Sequence, residues 1–157
     1  MFKDTILYEY AQKVIAWQGQ ENRIFKLVLD NSFIKDTIIN LNTEQQLMTE
    51  HVDSTGTPLF NAFTNRTFYA ASDPLGRGGQ PYEVFQTGEY YDSFRVEIGE
   101  GFIQIDSNPN KPDGNLFDMY TENLEGLTDS SLQILIDLTQ ELYVKWIENN
   151  ILPQWYI

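Results

Sequence analysis

The spacing of apolar residues changes twice along this chain of 157 residues, and that change constrains the fold more than any other feature. Near the N terminus apolar residues recur every three or four positions, which is the spacing of an amphipathic helix. Between Phe94 and Asp106 apolar and polar residues alternate on both sides of Gly99-Glu100-Gly101, as they do in a β-hairpin. Helical spacing then returns. The sequence therefore predicts an α+β fold: N-terminal helices, a long loop, a small antiparallel sheet and a long C-terminal helix.

Two helices are predicted before the loop. The first ends near Gly19, and the second runs from about Asn31 to Met48 with Ser32 as its candidate cap. The apolar face of the first helix consists of Phe2, Ile6, Tyr10, Val14 and Trp17.

Residues 49–81 lose regular spacing and contain turn-forming glycines and prolines, with a turn predicted at 53–56. Long loops in small domains are often functional, so this one is a candidate arm that orders against a partner. A short helix is also predicted near Leu116–Asn123, after a polar loop.

The last helix is predicted from about Thr128 to Asn149, with Thr128 or Asp129 as its cap. The residues assigned to its core side are Leu132, Leu135, Ile136, Leu142, Tyr143 and Trp146. Other apolar residues lie elsewhere on the helix, and a helix apolar on more than one side usually has more than one partner. A second subunit is a candidate partner. The apolar tail 151–157 is also expected to dock on something.

The charge is strongly acidic, with 23 acids against 10 bases and a net −13. Residues from Val96 onward carry −9 of this charge. Such a surface repels phosphate backbones, so we expect no tight binding of nucleic acid. Two interpretations stay open: a solvated outer surface, or the wall of a DNA passage. In the second case several of these acids would face the passage: Glu97, Glu100, Asp106, Asp113 and Asp118.

Composition favours one soluble domain over residues 1–157, made in a cytosol. The hydrophobic fraction of 41% is too high for a disordered chain. Cysteine is absent, no signal peptide is recognisable, and apolar runs are too short to span a bilayer, so no membrane contact is expected.

The residues that common active sites need are scarce. One histidine, His51, and no cysteine cannot form an ordinary zinc site, and no Gly-x-Ser-x-Gly motif accompanies it. The loop 106–114 resembles a calcium-binding loop, but Lys111 and Phe117 occupy the positions of its glycine and glutamate. The sequence thus predicts a protein that is not an enzyme and has no cofactor. A small hydrolase or a calcium-dependent binding module remains an alternative.

Several short segments occur in a characteristic order. They are Leu41-Asn42-Thr43-Glu44-Gln45-Gln46-Leu47, Asp53-Ser54-Thr55-Gly56-Thr57-Pro58-Leu59, Thr67, Gly79-Gln80-Pro81-Tyr82, Thr87-Gly88-Glu89-Tyr90-Tyr91-Asp92-Ser93-Phe94-Arg95-Val96, Ile103-Gln104-Ile105-Asp106-Ser107 and Gly126-Leu127-Thr128-Asp129. The order resembles that in small proteins of phages and prophages of Bacteroidetes-type hosts. More distantly, it resembles the tail-completion and virion-morphogenesis proteins of tailed bacteriophages.

This resemblance implies a structural protein of the virion. Copies would form a homo-oligomeric ring in the neck that joins the capsid portal to the tail. Its partners would be portal, connector or tail proteins, and DNA would pass through without specific binding. The protein would occur in the host cytoplasm during assembly. A capsid-decoration or baseplate protein is the alternative within the virion. The predicted assembly interface joins the end of the loop to the tail: Gly79, Gln80, Pro81, Tyr82, Trp155, Tyr156 and Ile157.

Overall fold

The computed structural model describes residues 6–59, 88–112 and 114–152. It shows an α+β fold, as predicted. The helices are α1 (Ile6–Trp17), α2 (Glu21–Leu29), α3 (Ser32–Asn40), a π-helix (Leu41–Glu50), α4 (Glu89–Asp92), α5 (Leu116–Met119), a 3₁₀ turn (Glu122–Leu124) and α6 (Asp129–Asn150). The strands are β1 (Arg95–Ile98), β2 (Ile103–Asp106), β3 (Asn110–Lys111) and β4 (Gly114–Asn115).

The N-terminal helices differ from the prediction in two ways. Helix α2 was not predicted, because nine residues supply only about two and a half turns of a periodic pattern. The N-cap of α3 is Asn31 and not Ser32: its Oδ1 accepts a hydrogen bond from the N–H of Ile34 at 3.0 Å. The stop near Gly19 is confirmed, since α1 ends at Trp17 and Gly19 has a φ of 76°.

Helix α3 continues directly into the π-helix, so the predicted second helix is confirmed. A π-helix of ten residues is long for a form that usually makes a single turn. Its backbone ends at His51, which has a left-handed φ of 55°. The chain then makes the predicted turn at 53–56, closed by an antiparallel bridge between Val52 and Pro58. The rest of the predicted loop, from residue 60 on, lies outside the described residues.

The predicted hairpin is confirmed as β1 and β2, which pair antiparallel from Arg95↔Asp106 to Ile98↔Ile103. The strands β3 and β4 form a second pair of two residues each. One buried cluster consists of Leu47, Leu59, Tyr90, Tyr91, Phe94, Leu116 and Leu124. The other consists of Val28, Leu29, Ile34, Ile38, Leu41, Ile98 and Leu135. Ile105 of β2 packs against both clusters and so links them.

Helix α6 has its predicted cap, since Thr128 Oγ1 accepts a hydrogen bond from the N–H of Ser131 at 3.3 Å. Its core side is narrower than predicted. Leu135 is buried, but Leu132 and Ile136 were wrongly assigned to the core and are exposed. The side of α6 that carries Leu135 packs against α2 and the buried cluster around Ile34 and Ile98, and the residues beside that side remain outside. In the described part of the chain, no helix is long and apolar enough to cross a membrane.

Candidate functional site

Two buried side-chain amides of the π-helix hold the extended segment that precedes α6. Asn42 Nδ2 donates to the carbonyl of Leu124 at 2.9 Å, and its Oδ1 accepts from the N–H of Gly126 at 2.8 Å. Gln46 Nε2 donates to the carbonyl of Gly126 at 2.9 Å, and its Oε1 accepts from the N–H of Thr128 at 2.8 Å. The amides thus bond alternate residues, as a neighbouring β-strand would. We call this arrangement the amide junction.

The amide junction fixes where α6 begins. Thr128 is both its last bonded residue and the N-cap of α6. Because Asn42 and Gln46 are one helical turn apart, both amides face the same segment. Both residues have 0% exposure, so the four hydrogen bonds satisfy groups that water does not reach.

The turn after the π-helix braces the same segment from another side. Buried Asp53 accepts hydrogen bonds from the N–H groups of Thr55 and Thr57 at 2.9 and 3.0 Å, and from the Thr55 hydroxyl at 2.6 Å. Ser54 follows, and its N–H donates to the carbonyl of Asn123 at 2.9 Å. Asp53 therefore shapes the turn at 53–56. Ser54, within this turn, holds the chain just before the amide junction.

A third polar contact joins α4 to the end of the hairpin. Ser107 Oγ lies 2.9 Å from Tyr90 Oη and 2.6 Å from Glu125 Oε1. The N–H of Ser107 also donates to Glu125 at 2.6 Å. Burial raises the pKa of Tyr90 well above its ordinary 10.0, Glu125 acts in the same direction, and the contact with Ser107 opposes both. Tyr90 is thus held neutral and serves as a hydrogen-bonding group.

These contacts bring together described parts of five segments that were singled out in the sequence. They are 41–47, 53–59, 88–96, 103–107 and 126–129. Their polar side chains bind backbone groups or one another, which makes this region a brace between elements. Among the described residues, no group of three or more His, Asp or Glu side chains could hold a metal ion. Asp113, in the loop that resembles a calcium site, lies outside the described residues.

An exposed apolar line flanks the core side of α6. We call it the outer stripe, and it consists of Leu132, Ile136, Val144 and Ile147, all exposed. Successive members are three, four or eight positions apart, so they lie on one side of the helix. The helix thus buries one apolar side in its own core and presents another. The sequence indicated that α6 has a second apolar side, but Leu132 and Ile136 were assigned to the core side.

Helix α1 also presents apolar residues. Among its described residues none is buried, and Ile6, Leu7, Val14 and Ile15 are exposed. Its last residue, Trp17, packs edge-on against Trp146 of α6, with ring centroids 4.9 Å apart. We use the term α1 face for Ile6, Tyr10 and Val14, which precede Trp17 on the same side of the helix. Phe2, also predicted for this face, lies outside the described residues. The predicted spacing is present in the described residues, but no member of the α1 face is buried in the core of its own chain.

Charge is distributed unevenly between these two helical regions. Residues 1–35 hold five of the ten bases and four of the 23 acids, which leaves a net +1. Helix α6 carries four acids and one base, a net −3. The four acids of the proposed DNA passage that the structure describes, Glu97, Glu100, Asp106 and Asp118, are all exposed. Their exposure is compatible with either interpretation of the acidic surface.

The predicted interface residues Gly79, Gln80, Pro81 and Tyr82 lie outside the described residues. So do the tail residues Trp155, Tyr156 and Ile157, which leaves the proposed docking of the tail a prediction. Comparison with protein-family models, curated proteins and solved structures finds no match to this chain.

Proposed function

We propose that this protein is a structural subunit of the neck of a tailed-bacteriophage particle, where copies assemble into a ring between portal and tail. One observation carries the proposal: α1 and α6 each present an apolar face that their own core does not cover. Contiguous exposed apolar surface marks an interaction site in a soluble protein. The phage setting comes from the resemblance of the ordered segments.

Two further features support a role in assembly. The amide junction sets the start of α6 through four hydrogen bonds at fully buried amides, so the helix that bears the outer stripe has a defined position. A fixed helix meets a partner with less ordering cost than a mobile one. The net charge of −13 also suits a ring through which DNA must pass without being held.

The direct test is the composition of the particle. Virions induced from the host that encodes this chain would be purified and examined by mass spectrometry, followed by reconstruction of the neck. We expect many copies of the chain per particle, arranged around the axis between portal and tail. Density for the chain on the capsid exterior or in the baseplate would favour the other virion roles. Absence of the chain from complete particles would contradict a structural role.

A further inference from the structure

We propose that the α1 face of one copy docks on the outer stripe of α6 of a second copy, and that this contact repeats from copy to copy. The inference rests on the proposed function, because it names the surfaces through which the assembly forms. The contact is heterologous, since each copy offers a donor helix on one side and an acceptor helix on the other. Such contacts close into rings or extend into filaments.

The dimensions of the two surfaces agree. Helix α1 has 12 residues and is therefore about 18 Å long at 1.5 Å per residue. The outer stripe runs from Leu132 to Ile147, which corresponds to about 22 Å of helix axis. Rows of apolar side chains at intervals of four or eight positions occur in both surfaces, and such rows are the ridges by which two helices pack side by side.

The chain's own α1 leaves the outer stripe open. Trp17 ends α1 against Trp146, and Trp146 packs with the buried cluster around Leu135. Trp146 therefore belongs to the core side of α6, whereas Ile136 and Ile147 are exposed. Arg23 lies over the Trp17 ring at 5.4 Å and helps to keep the end of α1 at that place.

Charge favours a second copy in this orientation. A contact between two α6 helices would place a net −3 against a net −3, and like charges repel. Helix α1 carries one acid and one base, Glu9 and Lys13, and the whole segment 1–35 has a net +1. Because Glu9 and Lys13 balance each other, α1 can lie against α6 without the repulsion that a second α6 would meet.

A groove next to the outer stripe fits the same occupant. It has a volume of about 380 Å³, and Leu132 of the outer stripe forms one wall. Ile103 and Ile105 contribute apolar lining, and Glu122 and Glu125 contribute carboxylates. An apolar helix that carries a lysine, as α1 does with Lys13, matches this combination.

Paired substitutions in the full chain test the contact. Ile136→Asp changes the outer stripe, and Ile134→Asp is its matched control. The two isoleucines are similarly exposed, 46% and 48%, yet two positions apart they point about 160° away from each other. Val14→Asp changes the α1 face in the same way. Self-association would be measured by sedimentation velocity over a series of concentrations, with circular dichroism to verify folding.

We expect Ile136→Asp and Val14→Asp each to weaken self-association by about tenfold or more, because a carboxylate would be buried without a partner. Ile134→Asp should leave the association constant within about twofold of that of the unmodified chain. Equal effects of Ile134→Asp and Ile136→Asp would overturn the assignment of the surface. Unimpaired association of all three variants would overturn it as well.

Mixing the two impaired variants distinguishes donor-to-acceptor contacts from symmetric ones. The Val14→Asp chain keeps an intact outer stripe, and the Ile136→Asp chain keeps an intact α1 face. At a concentration at which the unmodified chain associates, we expect each variant alone to be mainly monomeric and the mixture to form heterodimers without larger species. Homodimers of either variant alone would overturn the proposal, since they would show that each surface binds its own kind.

The results separate this inference from the proposed function. A chain that occurs in the virion neck but remains monomeric in solution at every concentration would overturn the self-contact and leave the structural role standing. A chain that self-associates as described but is absent from particles would uphold the contact and remove the proposed function.

Discussion

Two regions of this protein reverse the usual distribution of polar and apolar groups. One is the amide junction, and the other consists of the α1 face and the outer stripe. At the junction, Asn42 and Gln46 are fully buried amides that make four hydrogen bonds to the chain. On α1 and the outer stripe, large aliphatic side chains such as Ile136 are exposed. Buried polar groups are costly unless their partners are positioned well, so they specify one arrangement. Exposed apolar groups add little to the stability of a single copy. We therefore assign folding specificity to the first region and propose that the second serves assembly.

Gln46→Leu should produce the largest loss of stability. The leucine fills similar space but leaves the carbonyl of Gly126 and the N–H of Thr128 buried without partners. Two unsatisfied groups correspond to about 2–5 kcal/mol of unfolding free energy. Gln45→Leu is the matched control, because Gln45 is the adjacent glutamine on the exposed side of the π-helix.

Urea denaturation followed by circular dichroism would measure both variants. We expect Gln45→Leu to stay within about 0.5 kcal/mol of the unmodified protein, as surface changes usually do. Similar losses for both glutamines would mean that the junction has no special role, and the comparison between the two regions would fail.

Gly126→Ala should cost less but act at the same place. Gly126 has a φ of 115°, and an added Cβ would lie 3.0 Å from the Cβ of Ser54. Unfavourable backbone geometry contributes about 1–3 kcal/mol, and the close approach adds to it. In the double variant Ser54→Gly with Gly126→Ala, the close approach is gone while the backbone penalty stays. A partial recovery of the denaturation midpoint would separate the two causes, and no recovery would assign the loss to the backbone alone.

The parts of the fold that depend on residues close together in sequence could be predicted. The hairpin and α6 follow from spacing over four to 22 residues, and the cap at Thr128 follows from its side chain. The amide junction could not be predicted, because Asn42 and Gln46 meet partners 80 or more residues away. Polar residues one helical turn apart beside buried leucines indicate buried hydrogen bonds. The pattern does not indicate which part of the chain supplies the partners.

The candidate surface could be predicted only in part. The apolar residues on several sides of α6 indicated two partners, yet spacing alone does not tell which side meets the core. Leu132 and Ile136 were therefore assigned to the wrong side. The deciding factor is which elements pack against α6, chiefly α2, and this depends on tertiary packing. For α1 the spacing was correct, but a periodic pattern does not reveal whether its face is covered by the same chain.

Alkaline pH should lower the stability of the fold through Tyr90. Burial raises the folded-state pKa of Tyr90 above its ordinary 10.0, so the unfolded chain loses this proton first as pH rises. The stabilising contribution is complete below pH 10 and declines above it, with a slope that approaches about 1.4 kcal/mol per pH unit.

Denaturation midpoints at several pH values would be compared between the unmodified protein and Tyr90→Phe. The phenylalanine cannot ionise, so we expect its stability to fall less steeply above pH 10, although it starts lower because the contact with Ser107 is lost. Parallel curves for the two proteins would contradict the assignment of this effect to Tyr90.

The smallest expected change in stability is that of a substitution in the outer stripe. A small change would distinguish this surface from the amide junction. Ile136→Gln removes exposed apolar surface without introducing a charge, so the unfolding free energy of a dilute monomer should change by no more than about 0.5 kcal/mol. If the surface serves assembly, the same substitution should still weaken self-association and increase solubility. The unfolding free energy and the self-association should be measured on one sample, because substituting a residue that stabilises its own fold would lower both together. A loss of 2 kcal/mol or more, about what a core position gives, would place Ile136 in the core of its own chain and remove the distinction between the two regions.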